Sequence, residues 1–502
     1  MNPWERIRRR GLQRWLPTYV AETPARLATR AARRGQTTHL MFLVCDHFEP
    51  RHGARDAAQV EARLQAWHDG FASLQQWCAD EFGTRPLHTW FYPPHHGEGA
   101  FAHLPRWIYE GLGEAELHYH HDGDTEATFR AALRACLDDY ARHGLLLESG
   151  EHPRTRFGFI HGDWALDNSC GGRFCGVNGE LSILAEHGCW GDFTMPSGNE
   201  CQTRKINSIY YAVDSPERSM SHDWGRDARV GEVDPPGMFL MQGPLGMRWR
   251  RPWRPRIENA SLTSANWGSP ERIRSWIDCG VHVHGRPQWL FIKLHTHGAI
   301  EADFDALFGE RARAMHRVLN TLYNDGRDWR LHYVTARQAY NIAKAAEHGL
   351  DGDPRQYLDY RIAPPALRQY QVDAEHELLC CSATELRLRV ADEAGDVQAH
   401  TRTGPVSSIA GTWRELSSSS AARTLRLAGP AADGAGDWTV RLQAAPGFGF
   451  RTVPGMQRLA DDVVQVQVPP GSTLLVEADP SGGLGLLRLP REPLEERTHE
   501  RA

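Results

Sequence analysis

Four short stretches hold side chains able to bind a metal ion or move a proton, and histidine dominates them: many of the chain's 26 histidines stand beside apolar runs. The first is Asp46-His47-Phe48-Glu49-Pro50. There an aspartate can take a proton from water and an imidazole can ligate a metal. Neighbours on a strand face opposite ways, so Asp46 and His47 serve one site only if the strand breaks into a turn there. The other reading makes Asp46 a loop cap and His47 a packed imidazole. The second stretch runs from Glu116 to Thr125, with His118 and His120 on one strand face, His121 beside them and Asp124 before a helix. Paired imidazoles on one face suit a metal, while Asp124 is equally suited to N-cap the helix. The third, Ile160-His161-Gly162-Asp163-Trp164, adds a carboxylate and an indole able to stack on a sugar ring. In the fourth, His295 and His297 follow a largely apolar run, and an imidazole titrating near working pH can act as general acid.

Such groups need strand ends to hold them. The apolar run 40–45 stops abruptly at Asp46, as a buried parallel strand does when it delivers polar side chains at its C-terminal end. After it, Val60, Leu64, Trp67, Phe71, Leu74 and Cys78 keep the spacing 4, 3, 4, 3, 4 of one helix face. Further strands are predicted at 87–92, 115–120, 156–161, 189–195, 289–295 and 329–334. Helices are predicted near 100–111, through Phe129, Leu133, Cys136, Leu137 and Tyr140, and at 179–187, 308–323 and 335–346. So many strand-then-helix units imply an α/β fold, a (β/α) barrel rather than an open sheet, with chemistry where strands end. Residues 198–285 are rich in Gly, Pro, Trp and Arg with weak periodicity and read as a long loop or insertion region. Past Ala363-Pro364-Pro365, short alternating runs at 424–427, 438–442, 464–468 and 473–478 read as a small antiparallel β-domain over 366–502.

Composition narrows the function classes. The 502 residues are 41% hydrophobic and 24% charged, a globular balance. No apolar run is long enough to span a membrane. Net charge is −6, yet residues 1–34 carry nine Arg against only Glu5 and Glu22, so the body is acidic and a poor general nucleic-acid binder. Within 1–36, Trp4, Ile7, Gly11 and Trp15 share one helical face among arginines. That segment can lie on an anionic membrane as a peripheral anchor or pack on its own barrel. It lacks the apolar core of a secretory signal. Ten dispersed cysteines, none in a CxxC pair, fit reduced thiols in a cytoplasmic protein.

The order of these clusters resembles the polysaccharide deacetylase (NodB-type) family of carbohydrate esterases over roughly residues 37–345. Asp46-His47 stands where that family has paired aspartates. His88-Thr89-Trp90-Phe91-Tyr92 is similar to its second strand, and Glu116-Leu117 leads to His120 and, four residues on, to Asp124. The stretches Gly176–Leu181, Leu184–Gly188 and Asp192–Ser197 are similar to its helix, glycine and acidic strand, and Phe291–His295 to its last motif. Two positions are exchanged: a second aspartate is His47, and a second histidine is Asp124. The family's Arg-Pro-Pro-Tyr-like loop is replaced by His161-Gly162-Asp163-Trp164.

The resemblance implies an irregular (β/α) barrel over 37–360 and a hydrolase that removes N-acetyl groups from a sugar or polysaccharide precursor. It implies one divalent ion, zinc first, held by His47, His120 and Asp124, with His118 and His121 as competing ligands. Asp46 is then the base, with Glu49 or Asp163 in its place if Asp46 proves a ligand, and His295 is the acid. His161, Asp163, Trp164 and His297 are left to touch the carbohydrate. The alternative is a catalytically inactive member that binds glycan or scaffolds polysaccharide assembly. An amidohydrolase of another class would carry paired histidines on its first strand, which this chain lacks.

Overall fold

A computed structural model describes residues 2–364 apart from 98, 105–106, 109–110, 144, 149–153 and 250–254, and beyond 364 only strand segments between 368 and 489. Its contacts divide the chain into two units: residues 1–107, 112–139 and 155–362, and residues 108–111, 140–154 and 363–502.

The first unit is an α/β structure on one large, mostly parallel sheet. Its strands are β1 (Thr38–His47), β2 (His88–Tyr92), β3 (Gly113–Tyr119), β4 (Phe157–His161), β5 (Cys189–Asp192), β6 (Ile209–Ala212), β7 (Arg226–Asp227), β8 (Met238–Met241), β9 (Trp289–Thr296) and β10 (Trp329–Tyr333). They run in the order β9-β1-β2-β3-β4-β5-β8-β6-β7, with β10 also on β1. Pairs from β9 to β8 are parallel, whereas β6 and β7 join antiparallel. Strand β1 is buried along its whole length, as its unbroken apolar run requires. It pairs with β9 from His39 to Asp46; β10 takes residues 38–42 and β2 residues 45–47, so these two share its other edge.

Alternation along β1 feeds two cores. Met41, Leu43 and Cys45 pack with Phe91, Ile160, Phe193, Phe291 and Tyr340. Leu40, Phe42 and Val44 pack with Ile273, Trp276, Leu290 and Leu319 on the other face. Helix α4 (Ala57–Phe82), preceded by α1 (Pro3–Arg9), α2 (Leu12–Ala21) and α3 (Thr23–Ala32), buries Leu64, Trp67, Phe71, Leu74 and Cys78, five positions of its predicted stripe. Asp56 caps its start by accepting from Gln59 N at 2.8 Å, and Gly83 ends it at φ 65°, a conformation glycine adopts freely. Helices α5 (Glu126–Arg142), α6 (Glu180–Glu186), α7 (Pro270–Cys279), α8 (Glu310–Tyr323) and α9 (Ala336–Glu347) follow.

Several expectations change. The N-terminal helix is three short ones, α1, α2 and α3. The break falls at Gly11, whose φ is +60° and where a Cβ would meet Asn199 O at 2.4 Å. Trp4 is therefore 77% exposed while Trp15 is fully buried against Ile206 and Leu245. Arg14 donates to Gln202 O at 2.7 Å and pairs with Asp223, which ties α2 to the protein's own loops. Region 198–285 is no plain loop: β6, β7, β8, α7 and a hairpin of Gly246–Trp249 with Pro255–Glu258 lie in it. Strands of two to four residues are too short to leave a period in the sequence. Near 100–111 a 3₁₀ turn at Ala100–Ala102 comes first, and the described residues Leu104, Trp107 and Ile108 are helical, in line with the predicted helix. Cys170 and Cys201 are paired, their Cα atoms 5.7 Å apart, a link the dispersed cysteines did not suggest; six other cysteines among the described residues are free and buried. No helix among the described residues is long and apolar enough to cross a membrane.

In the second unit a five-stranded sheet, including Thr424–Ala428 and Thr473–Ala478, stands with a three-stranded one of Trp438–Gln443, Val463–Val468 and Met456–Ala460. All four predicted runs fall in these strands.

Candidate functional site

Strand β1 continues through His47, so Asp46 and His47 leave it on opposite faces. Asp46, fully buried, turns to the side of Leu40, Phe42 and Val44. Its Oδ1 accepts from Gly298 N at 2.6 Å and its Oδ2 lies 2.9 Å from His88 Nε2. The carboxylate expected as base is thus an anchor for the segment after β9. His47 points inward, 2% exposed, and its Nε2 is buried without a partner. Its ring centre lies 4.8 Å from that of His118, 4.9 Å from His297, 5.3 Å from Trp164 and 6.1 Å from His295. Burial and the surrounding imidazoles push His47 well below the usual histidine range.

Beside it stand Glu49, His118 and His120, a group whose ligand atoms could hold a metal ion. The two Nε2 atoms are 2.9 Å apart, and His120 Nε2 is 3.1 Å from Glu49 Oε1. Each imidazole is fixed from behind: His118 Nδ1 donates to Ile160 O at 2.9 Å, and His120 Nδ1 lies 3.2 Å from Asp163 Oδ2. Gly162 passes so close that a Cβ there would meet the His120 ring at 2.4 Å. Burial lowers His118 to about 3. Burial would also lower His120, but hydrogen bonds to Asp163 and Glu49 raise it to about 9. Glu49, which burial would raise, is lowered to about 2 by His120. An inward cluster of two imidazoles, a carboxylate and the bare His47 Nε2 is a donor set a divalent cation fits.

Asp124, expected beside His120, goes elsewhere. Thr125 caps α5 by accepting from Thr128 N at 3.3 Å, which leaves Asp124 Oδ2 2.9 Å from His121 Nδ1. His121 belongs to a second group with His161, Cys175 and Glu180. His161, expected to touch carbohydrate, is fully buried. His121 Nε2 is 3.0 Å from His161 Nε2 and 3.1 Å from Glu180 Oε1, which is 3.2 Å from His161 Nε2; Cys175 Sγ is 3.7 Å from Glu180 Oε2. Glu180 and Cys175 were not picked out as ligands from the sequence. Their signal was faint: Glu180 opens the helix within the family-like stretch, and Cys175 has no cysteine neighbour in CxxC spacing. A third group, His39, His332 and Asp353, lies toward the start of β1, where β10 pairs with it.

His295 faces inward from β9 opposite Cys45, 3% exposed, with Nδ1 lacking a partner. Burial, with Lys293 and His297 nearby, keeps it neutral. Trp164 places its ring 6.0 Å from His295 and 5.7 Å from His297, whose side chain is one-third exposed. Asp163 and Trp164 hold positive φ values of 52° and 56°, left-handed conformations that cost a non-glycine residue energy and fix this corner's shape. Expected residues His47, His118, His120, Asp163, Trp164, His295 and His297 therefore come together; Asp46, Asp124 and His161 do not join them. Compared with family models, with curated proteins and with solved structures, the chain gives no match.

Proposed function

We propose that the chain is a metal-dependent deacylase that removes N-acyl groups, N-acetyl first, from a sugar or polysaccharide precursor, on an irregular (β/α) barrel of the polysaccharide deacetylase kind. The observation that carries the reading is the convergence of Glu49, His118, His120 and the bare His47 Nε2 at the C-terminal ends of parallel strands. Glu49, His118 and His120 would hold one divalent ion, zinc first, with His47 as a further donor; bound there, it would supply a Lewis acid and a water of lowered pKa.

The protein's own groups do the rest. Asp163 is half exposed and bonded to His120 through Oδ2, which leaves Oδ1 to take a proton from water. His295 starts neutral, so it would take a proton from solvent and pass it to the departing amine, while Asp163 returns the proton it took from water to solvent. Trp164 offers a face for the sugar ring beside His297. Asp46 acts at one remove, by holding Gly298 N and so the segment that carries His297.

One observation favours the second reading, a glycan-binding scaffold without turnover: the carboxylate that the resemblance makes the base is turned to the far face of β1. Acetate release from a panel of N-acetylated sugars by metal-loaded protein separates the two. Release that falls in His120→Ala and Asp163→Asn supports the enzyme. Loaded wild-type protein that releases none leaves the scaffold.

A further inference from the structure

The four side chains of the second group are not placed as ordinary hydrogen-bonding partners. His161 Nδ1 lies 2.5 Å from Gly162 O, and a carbonyl only accepts, so His161 carries its proton on Nδ1. The carboxylate of Asp124 likewise claims the Nδ1 proton of His121. A neutral imidazole has one N–H, and both are spent. Two bare Nε2 lone pairs then face each other at 3.0 Å, and both face Glu180 Oε1 at 3.1 and 3.2 Å. Three acceptors so close repel unless a metal ion or an added proton stands among them.

We infer that His121, His161, Cys175 and Glu180 form a closed four-ligand site for a zinc-type ion, separate from the one at Glu49, His118 and His120. Bond lengths of 2.0–2.1 Å to nitrogen or oxygen give a tetrahedron with edges of about 3.3 Å, and of about 3.5 Å to sulfur. The observed spacings of 3.0 to 3.2 Å among His121 Nε2, His161 Nε2 and Glu180 Oε1 fall close to the first, while Cys175 Sγ lies 3.7 Å from the other carboxylate oxygen, Oε2. All four ligand atoms lie within 4.8 Å of one another.

The outer contacts are those a metal site uses. The imidazoles donate to a carboxylate and a carbonyl, Glu180 Oε2 accepts from Asp167 N at 2.6 Å, and Val177 N donates to Cys175 Sγ at 3.4 Å. Cys175 gives its thiol proton to solvent as the ion binds. With His161, Cys175 and Glu180 buried and His121 nearly so, no position is left open for water or substrate, which marks a structural centre. It would join the end of β3, the end of β4, the loop at 175 and the start of α6.

Sulfur makes the centre separately readable, since the Glu49 group has none. Chelator-stripped full-length protein is titrated with cobalt(II). The expected result is a thiolate-to-cobalt charge-transfer band that saturates at one equivalent, survives His120→Ala and disappears in Cys175→Ser. Zinc-edge X-ray absorption of unmutated protein, which needs no variant to fold, should show a sulfur neighbour at about 2.3 Å. Zinc-loaded protein with no sulfur neighbour, or cobalt-loaded protein with no such band, overturns the inference: a proton on His121 or His161 would then bridge to Glu180. Loss of ion binding at Glu49, His118 and His120 alone would leave the sulfur signals intact and count only against the deacylase.

Discussion

Replacing Gly162 with alanine tests the Glu49 centre without removing any of its ligands. The new Cβ would stand 2.4 Å from His120 Cγ, 2.5 Å from Nδ1 and 2.8 Å from Cδ2. Contact distance is about 3.5–4.0 Å, so the ring must move by roughly 1 Å. That displacement breaks the His120 contacts to Asp163 at 3.2 Å and Glu49 at 3.1 Å, which have little length to spare. Losing such an orienting contact lowers ion affinity about 10–100-fold, or about 1.4–2.7 kcal/mol. Competition with a chromophoric chelator reads the affinity, and circular dichroism checks the fold. Gly99→Ala is the control, because its Cβ would meet Val60 Cγ1 at an ordinary 3.5 Å. Undiminished affinity in folded Gly162→Ala would mean that His120 is not a ligand.

Asp46→Asn is expected to cost roughly 1–3 kcal/mol in urea unfolding, because the amide cannot accept from both Gly298 N and His88; unchanged stability with turnover lowered about 10²–10⁴-fold would restore Asp46 as base. His316 is buried and held down at about 3, so the folded state refuses a proton that the unfolded chain takes below about pH 6.5. Stability should therefore fall with pH, by about 2 kcal/mol between pH 7 and pH 5 from this residue, and His316→Asn should flatten that part of the curve. Trp15→Ala should destabilise by about 3–5 kcal/mol, while exposed Trp4→Ala should stay within about 0.5 kcal/mol and instead weaken binding to anionic vesicles if α1 docks there. Vesicle binding that Trp4→Ala leaves intact would argue against a membrane role for the first segment.

What the sequence made legible was where chemistry stands. An apolar run that stops at Asp46, three histidines from 118 to 121 and the polar turn after Ile160 mark strand ends by local pattern alone. The facing of Asp46 depended on whether β1 stopped or ran one residue further, and hydrogen bonding to Phe91 carries it through His47. Ligand partnership was illegible for a different reason. Asp124 belonged with His121 rather than His120 because Thr125 took over the cap, a choice between neighbours worth about 1 kcal/mol. Cys175 and Glu180 reach His121 across more than 50 residues, a distance no periodicity records.

His120 and His121 are consecutive, yet one turns to Glu49 and the other to Glu180. The same holds around Gly162, whose neighbours His161 and Asp163 serve different clusters. A shift of either backbone stretch that tightens one set of donors must alter the spacing of the other. If both clusters take up ions, their uptake would be linked, and linkage is reciprocal: whatever factor the first ion imposed on the second, the second would impose on the first. Filling order under limiting metal would follow from each cluster's own affinity, and that shared factor would set how readily the second cluster loads after the first.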